Sequence, residues 1–318
     1  MPEQSEQQPA PENWYTEGAG DLPFVAISHT TTGESAEHPE RTPVAGNMSV
    51  SHAQPEQPDL SPEERRVEAK IRINAFLESL KLEPSHTAIM NPQNDFSHPV
   101  GIINIDEAFR PGENGDDATV LPERGDFLYT RNPEVILGCK PADCPCLIGE
   151  GLDRNGQKLL FLQHLAWMEL DAGYLEQGLA FLAGEGVETS SLRLYLTRGA
   201  RTESYGYYNP DNPFEGGDRQ VVHPKREELF VNLHKEPIDS GEEWWFWNVD
   251  TFGFIRNRLH EAGVQDGQIY EDPTDVASPA SGNSSNNRQF NTGEMRSSDL
   301  VVATMKPGAG SISYPSAK

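Results

Sequence analysis

The sequence predicts an α+β fold in which mixed sheets are layered with helices. Three observations point there. Short apolar runs follow one another closely at 127–129, 135–138 and 146–148. Longer amphipathic stretches stand apart from them, and the two kinds do not alternate in the regular βα order of a doubly wound sheet. The chain has 318 residues, room for a sizeable buried core, but only 36% are hydrophobic. Part of it is therefore expected to lie outside the packed domain.

Residues 1–60 are rich in Glu, Gln, Pro, Ser and Thr and read as a disordered acidic tail, in which Phe24-Val25-Ala26-Ile27 could dock as a short strand. Order begins at Ser61-Pro62-Glu63-Glu64, a helix start with proline in the first turn and acids near the positive end of the dipole. Val67, Ile71, Phe76, Leu77 and Leu80 mark its apolar face. A strand-and-loop segment spans 101–106, and 107–124 reads as loop. The three strands named above follow, then a fourth at 159–162 leading into His164. A helix is expected over 169–183, a strand over 192–197, and a helix over 247–262 with Gly263 just past its end. Residues 278–287 read as a Ser/Asn-rich loop and 300–305 as a closing strand. The expected organisation is a tail over 1–60, one catalytic domain over 61–305 and a second tail over 306–318.

The formal charge of −25 excludes nucleic acid and an anionic membrane surface as partners, because their phosphates would be repelled. No apolar run approaches the roughly 20 residues of a membrane span. The first ten residues lack the basic start and apolar centre of a secretory signal, so a cytoplasmic location is expected. Cys139, Cys144 and Cys146 lie too close together, and are too few, for a disulfide framework.

The chemistry is expected in three places. Pro141-Ala142-Asp143-Cys144-Pro145-Cys146 forms a turn between apolar strands and puts Cys144 at a sheet edge. Leu160-Phe161-Leu162-Gln163-His164 ends a strand with an imidazole. Phe96-Ser97-His98-Pro99 places another before a strand. Two imidazoles and one thiolate suit a catalytic zinc with a fourth position left to water. Each of these residues also has an ordinary structural reading: a hydrogen-bonded histidine, a turn-capping Asp143, and Cys139 and Cys146 as small hydrophobes. Cys144 with His164 as its base would alternatively make a metal-free cysteine hydrolase or amidase.

Gly125-Asp126-Phe127-Leu128-Tyr129-Thr130, Pro141-Ala142-Asp143-Cys144 and His164-Leu165-Ala166-Trp167 resemble, in that order, motifs of the bacterial laccase-domain family, also called multicopper polyphenol oxidase-like. Arg258-Leu259-His260-Glu261-Ala262-Gly263-Val264, Asn287-Arg288 and Thr292-Gly293-Glu294-Met295 resemble its later segments. The resemblance implies a single domain of α/β/β/α sandwich type. It also implies one zinc on His98, Cys144 and His164, and purine nucleoside phosphorylase activity on adenosine or inosine with phosphate, with adenosine deamination in some members. Asp143 would orient a ligand or act as a base beside Cys144 and His164. Zinc is expected rather than copper, since nine histidines without a His-x-His pair are too few for several coppers. Two family arginines are replaced, one by Met168-Glu169 and one by Glu294. Phosphate binding would then need Arg198, Arg201, Arg288 or Arg296. These replacements leave room for a non-catalytic binding protein of the same fold.

Overall fold

The computed structural model describes residues 24–27, 61–93, 95–113, 115–214, 223–238, 240–277 and 300–305. Two mixed sheets form its centre. In the first, Phe24–Ile27 (β1) pairs antiparallel with Val301–Thr304 (β14), and β14 with Ile136–Cys139 (β6). Thr87–Ile89 (β2) runs parallel to β6, and Thr119–Val120 (β4) closes the edge. The second sheet runs Ile269–Glu271 (β13), Arg193–Leu196 (β9), Cys146–Leu152 (β7), Lys158–His164 (β8), Phe127–Thr130 (β5) and Ile102–Asn104 (β3).

Alternation along the strands decides what lies between the layers. On β8, Leu160 and Leu162 face the first sheet, where they meet Leu137, Cys139 and Ala303; Cys146 and Ile148 of β7 join them. Leu159 and Phe161 face the opposite way, with Leu147, Leu194 and Leu196. That second face is covered by Tyr174–Gly184 (α4) and Thr251–Glu261 (α6), through Leu175, Leu182, Phe254, Ile255 and Leu259. The outer face of the first sheet is covered by Pro62–Ser79 (α1), whose Ile73, Phe76 and Leu77 pack on Ile89, Ile136 and Val302. The order is helix, sheet, sheet, helix, so the expected α+β sandwich is the architecture found.

Local chemistry explains the boundaries. Ser61 and Glu64 form a reciprocal capping box on α1. The helix expected over 169–183 is broken by Gly173, at φ +74°, into Trp167–Asp171 (α3) and α4. The helix expected over 247–262 begins late. Residues Glu243–Val249 are instead a strand (β12) between Gly206–Asn209 (β10) and Phe230–Pro237 (β11), and Asp250 caps α6 by accepting from the Gly253 amide. A run of Trp, Phe and Val favours a pleated, half-buried strand. This three-stranded sheet was not foreseen. Ile105–Ala108 (α2) and Arg226–Leu229 (α5) are single turns. Phe24–Ile27 does form an edge strand, and the rest of 1–60, the 278–287 loop and the 306–318 tail lie outside the described residues.

Gly149 sits opposite Phe161 on β8 and Leu194 on β9, and a Cβ there would come within 2.6 Å of both side chains. Gly149→Val is expected to lower the unfolding free energy by about 1–3 kcal/mol, the usual cost of overpacking a tight core, read from urea denaturation.

Candidate metal centre

Pairing within the second sheet brings the chemistry to one edge. Cys146, the first residue of β7, is opposite His164, the last of β8. Asp126 precedes β5, and its carbonyl accepts from the His164 amide at 2.9 Å. The turn between β6 and β7 is clamped on both sides: Leu165 N donates to the Pro145 carbonyl at 3.1 Å and Ala200 N to the Asp143 carbonyl at 2.8 Å. Cys146 N donates to Thr197 Oγ1 at 2.8 Å. The backbone around Cys144 and His164 is thereby fixed on both sides.

Around His164 the charges are concentrated. Its Nδ1 lies 3.1 Å from Glu169 Oε1 and 3.5 Å from Asp126 Oδ1. Glu169 is in the first turn of α3, directly after the strand that carries His164, so a tight strand-to-helix turn folds it back onto the ring. Donor atoms of Asp126, His164 and Glu169 all fall within 4.8 Å of one another. Asp126 and Glu169 are buried, and Asp126 Oδ1, His164 Nδ1 and Glu169 Oε2 have no aligned hydrogen-bond partner. Buried carboxylates without partners are costly unless a cation compensates them. Without a metal, that cation is a proton on His164. Burial opposes a charged imidazole, but Glu169, Asp126 and the contact with Cys144 prevail and hold it protonated well above its ordinary range. Burial pushes the Cys144 thiol up, against the pull of His164.

The expected residues are thus partly brought together. Cys144 and His164 touch, and Asp143 is buried in the adjoining turn. Of the expected trio of His98, Cys144 and His164, the last two adjoin and His98 stands on the surface. His98 is 72% exposed, its Nε2 is 3.4 Å from Asp95, and only its backbone carbonyl is tied inward, accepting from the Tyr174 hydroxyl at 3.1 Å. The physical reason is the turn Asp95-Phe96-Ser97-His98, in which Asp95 bonds the Ser97 amide and hydroxyl and leaves the imidazole pointing to solvent. Asp126 and Glu169 stand next to His164 instead. Neither was singled out as a ligand from sequence, although Asp126 lies in a quoted motif and Glu169 was named where a family arginine is replaced. An acid five residues after the strand-end histidine was the available signal. Of the arginines named as phosphate partners, Arg198 is buried directly after Thr197, Arg201 pairs with Glu271 and lies over the Phe252 ring, and Arg288 and Arg296 are outside the described residues. Beside the turn stand Tyr205 and Tyr207, close enough to feel the Cys144 and Asp143 charges, with Trp167 against Tyr207 at 5.9 Å between ring centroids.

The fold is shared with solved structures, as the motif series implied. The chain is similar to Bacillus licheniformis hypothetical protein YfiH, with a TM-score of 0.59 and 17% identity over 89% of this chain and 93% of that one. It is similar to YlmD from Geobacillus stearothermophilus, with a TM-score of 0.58 and 17% identity over 91% and 93%. Neisseria meningitidis NMB0706, of the DUF152 family model, aligns with a TM-score of 0.53 and 16% identity over 89% and 95%. At this identity the likeness is one of fold. No family model and no curated protein matches the sequence. Among the described residues, no helix is long and apolar enough to cross a membrane.

A pH dependence follows from the raised His164 pKa. A group that binds its proton more tightly when folded contributes fully below its unfolded value, near 6.5, and that contribution is lost as pH rises through the folded value. The metal-free protein is therefore expected to lose stability as pH rises above about 6.5, by at most about 1.4 kcal/mol per pH unit. Urea melts across pH 6 to about 8.5 should show this slope, and Glu169→Gln should flatten it.

Proposed function

We propose that the chain is a zinc-dependent enzyme acting on purine nucleosides, with Asp126, His164 and Glu169 holding the ion and Cys144 beside it. The observation that carries the reading is the buried set of unpartnered Asp126, His164 and Glu169 atoms at the edge where Cys144 meets His164. One imidazole nitrogen and two carboxylate oxygens are donors that zinc, an ion without geometric preference, accepts, and the Cys144 sulfur stands beside them. When bound, it supplies Lewis-acid polarisation of a substrate oxygen or a water of near-neutral pKa.

The chain's own residues set the rest. Asp126, aligned by the Gln93 amide at 3.2 Å, and Glu169 keep the imidazole in place. Were Glu169 to hold the ion through Oε1, the oxygen beside His164 Nδ1, its Oε2 would be left to take a proton from an attacking water and return it to a leaving group. Trp167 and Tyr207 offer aromatic faces on which a purine could stack. Asp126, Asp143 and Glu169 make the edge acidic, which repels phosphate. Of the reactions the laccase-domain resemblance implies, those using water as acceptor, adenosine deamination above all, suit this edge better than phosphorolysis.

The contact between Cys144 and His164 favours a second reading, a metal-free cysteine hydrolase with Glu169 orienting the histidine. The raised thiol pKa counts against it, because the thiolate is the nucleophile. Purified protein should be given adenosine and inosine, with and without phosphate, and its zinc measured. Turnover of adenosine to inosine without a phosphate requirement is expected. Glu169→Gln should cost roughly 10²–10⁴ in kcat. Zinc near one equivalent should be lost in His164→Ala and retained in His98→Ala. Protein free of zinc as isolated, alkylated at Cys144 by iodoacetamide and inert towards both nucleosides, would overturn the proposal.

A further inference from the structure

We propose that the buried ion pair of Asp171 and Arg226 is a positioning device of the metal centre, one that sets the rotation of α3 and so holds Glu169 against His164. The proposal rests on the zinc reading only in taking Glu169 as a group of the site. The contact it concerns, Glu169 with His164, needs no ion.

The short helix α3 does not fix its own orientation. It has five residues, its N-cap Ala166 makes no side-chain bond, and the left-handed Gly173 cuts it off from α4. A helix this short is not stable by itself, so tertiary contacts decide how it lies. Leu170 anchors it in the core, but an apolar contact is non-directional and leaves rotation open. Residues four apart share a helix face, and residues two apart are turned by about 200°. Trp167 and Asp171 therefore lie on one side of α3, and Glu169 lies on the other, against His164.

The side opposite Glu169 is where the helix is gripped. Trp167 packs on Phe230 at 5.4 Å between ring centroids. Asp171 is held at both oxygens: Oδ2 accepts from Arg226 Nη2 at 2.9 Å and Oδ1 from the His223 amide at 3.3 Å. Arg226 is itself anchored, donating through Nη1 to the Pro213 carbonyl at 2.6 Å and lying 4.9 Å from the centre of the Phe230 ring. Of these contacts the ion pair is the directional, charge-assisted one. Both partners are buried, so removing the guanidinium leaves the Asp171 carboxylate without this cation, at a high cost. Turning that carboxylate toward water rotates α3 and draws Glu169 away from His164.

The nitrogen chemical shifts of the His164 ring, read by NMR at one pH on the metal-free full-length protein, report this contact. Glu169→Gln marks the shifts of a ring without the carboxylate. Arg226→Gln is expected to move His164 most of the way to that position. Combined with Glu169→Gln it should add nothing further, since both changes act through one contact. Asp171→Asn together with Arg226→Gln, a neutral pair that buries no charge, should return His164 towards its wild-type shifts. Arg226→Lys should move it in the same direction as Arg226→Gln but less far. Zinc affinity, measured by chelator competition, should fall roughly 10–100-fold in Arg226→Gln, the usual effect of losing an outer partner. Wild-type His164 shifts in Arg226→Gln, with only the urea midpoint lowered, would make the pair purely structural and overturn the proposal. So would a displacement of His164 that persists undiminished in the Glu169→Gln background. Should Arg226→Gln fail to fold, unchanged His164 shifts in Arg226→Lys would overturn it equally. A wild-type protein that binds no zinc would count against the zinc reading alone, because the ring shifts still decide the role of the pair.

Discussion

The site depends on one constraint, the need to compensate negative charge that the fold buries beside His164. Asp126 and Glu169 reach the imidazole from opposite sides in sequence, one just before β5 and the other in the first turn of α3. Both side chains are buried: Asp126 Oδ2 accepts from the Gln93 amide, and Glu169 belongs to a short helix whose Leu170 is part of the core. In the metal-free protein a proton on His164 meets this charge, and a metal ion bound here would compete with that proton.

The layers explain why the edge stays rigid. Alternation sends Cys139 and Cys146 between the two sheets, where both are fully buried, while Cys144, in the turn between them, stays partly accessible. Three neighbouring cysteines thereby acquire different roles from strand periodicity alone. On the other side of the second sheet, α4 and α6 cover Leu147, Phe161 and Leu194. The same pair of helices, set a little apart, leaves a cavity flanked by Glu176 and Arg258.

Much of this was legible in the chain. The α1 start could be read from Ser61 and Glu64, the strand ending in His164 from its apolar run, and the turn at Cys144 from its prolines. The class of fold followed from the order of those elements. What escaped reading has physical causes. The run Trp244-Trp245-Phe246-Trp247 has no clean alternation, so the third sheet was hidden and its last strand was merged with the next helix. His98 fits a ligand pattern in one dimension, but a local turn held by Asp95 directs its ring outward. Glu169 looked like the loss of a family arginine, because burial next to His164 is a property of the strand-to-helix turn and not of the residue type.

The measurement that tests the compensation account most directly is anomalous diffraction at the zinc absorption edge from crystals of the protein as isolated. A single peak bonded to Asp126, His164 and Glu169, with Cys144 adjacent, is the predicted result. A peak held by His98, Cys144 and His164 with Glu169 turned away, or no peak while all three donors keep their positions, would contradict it.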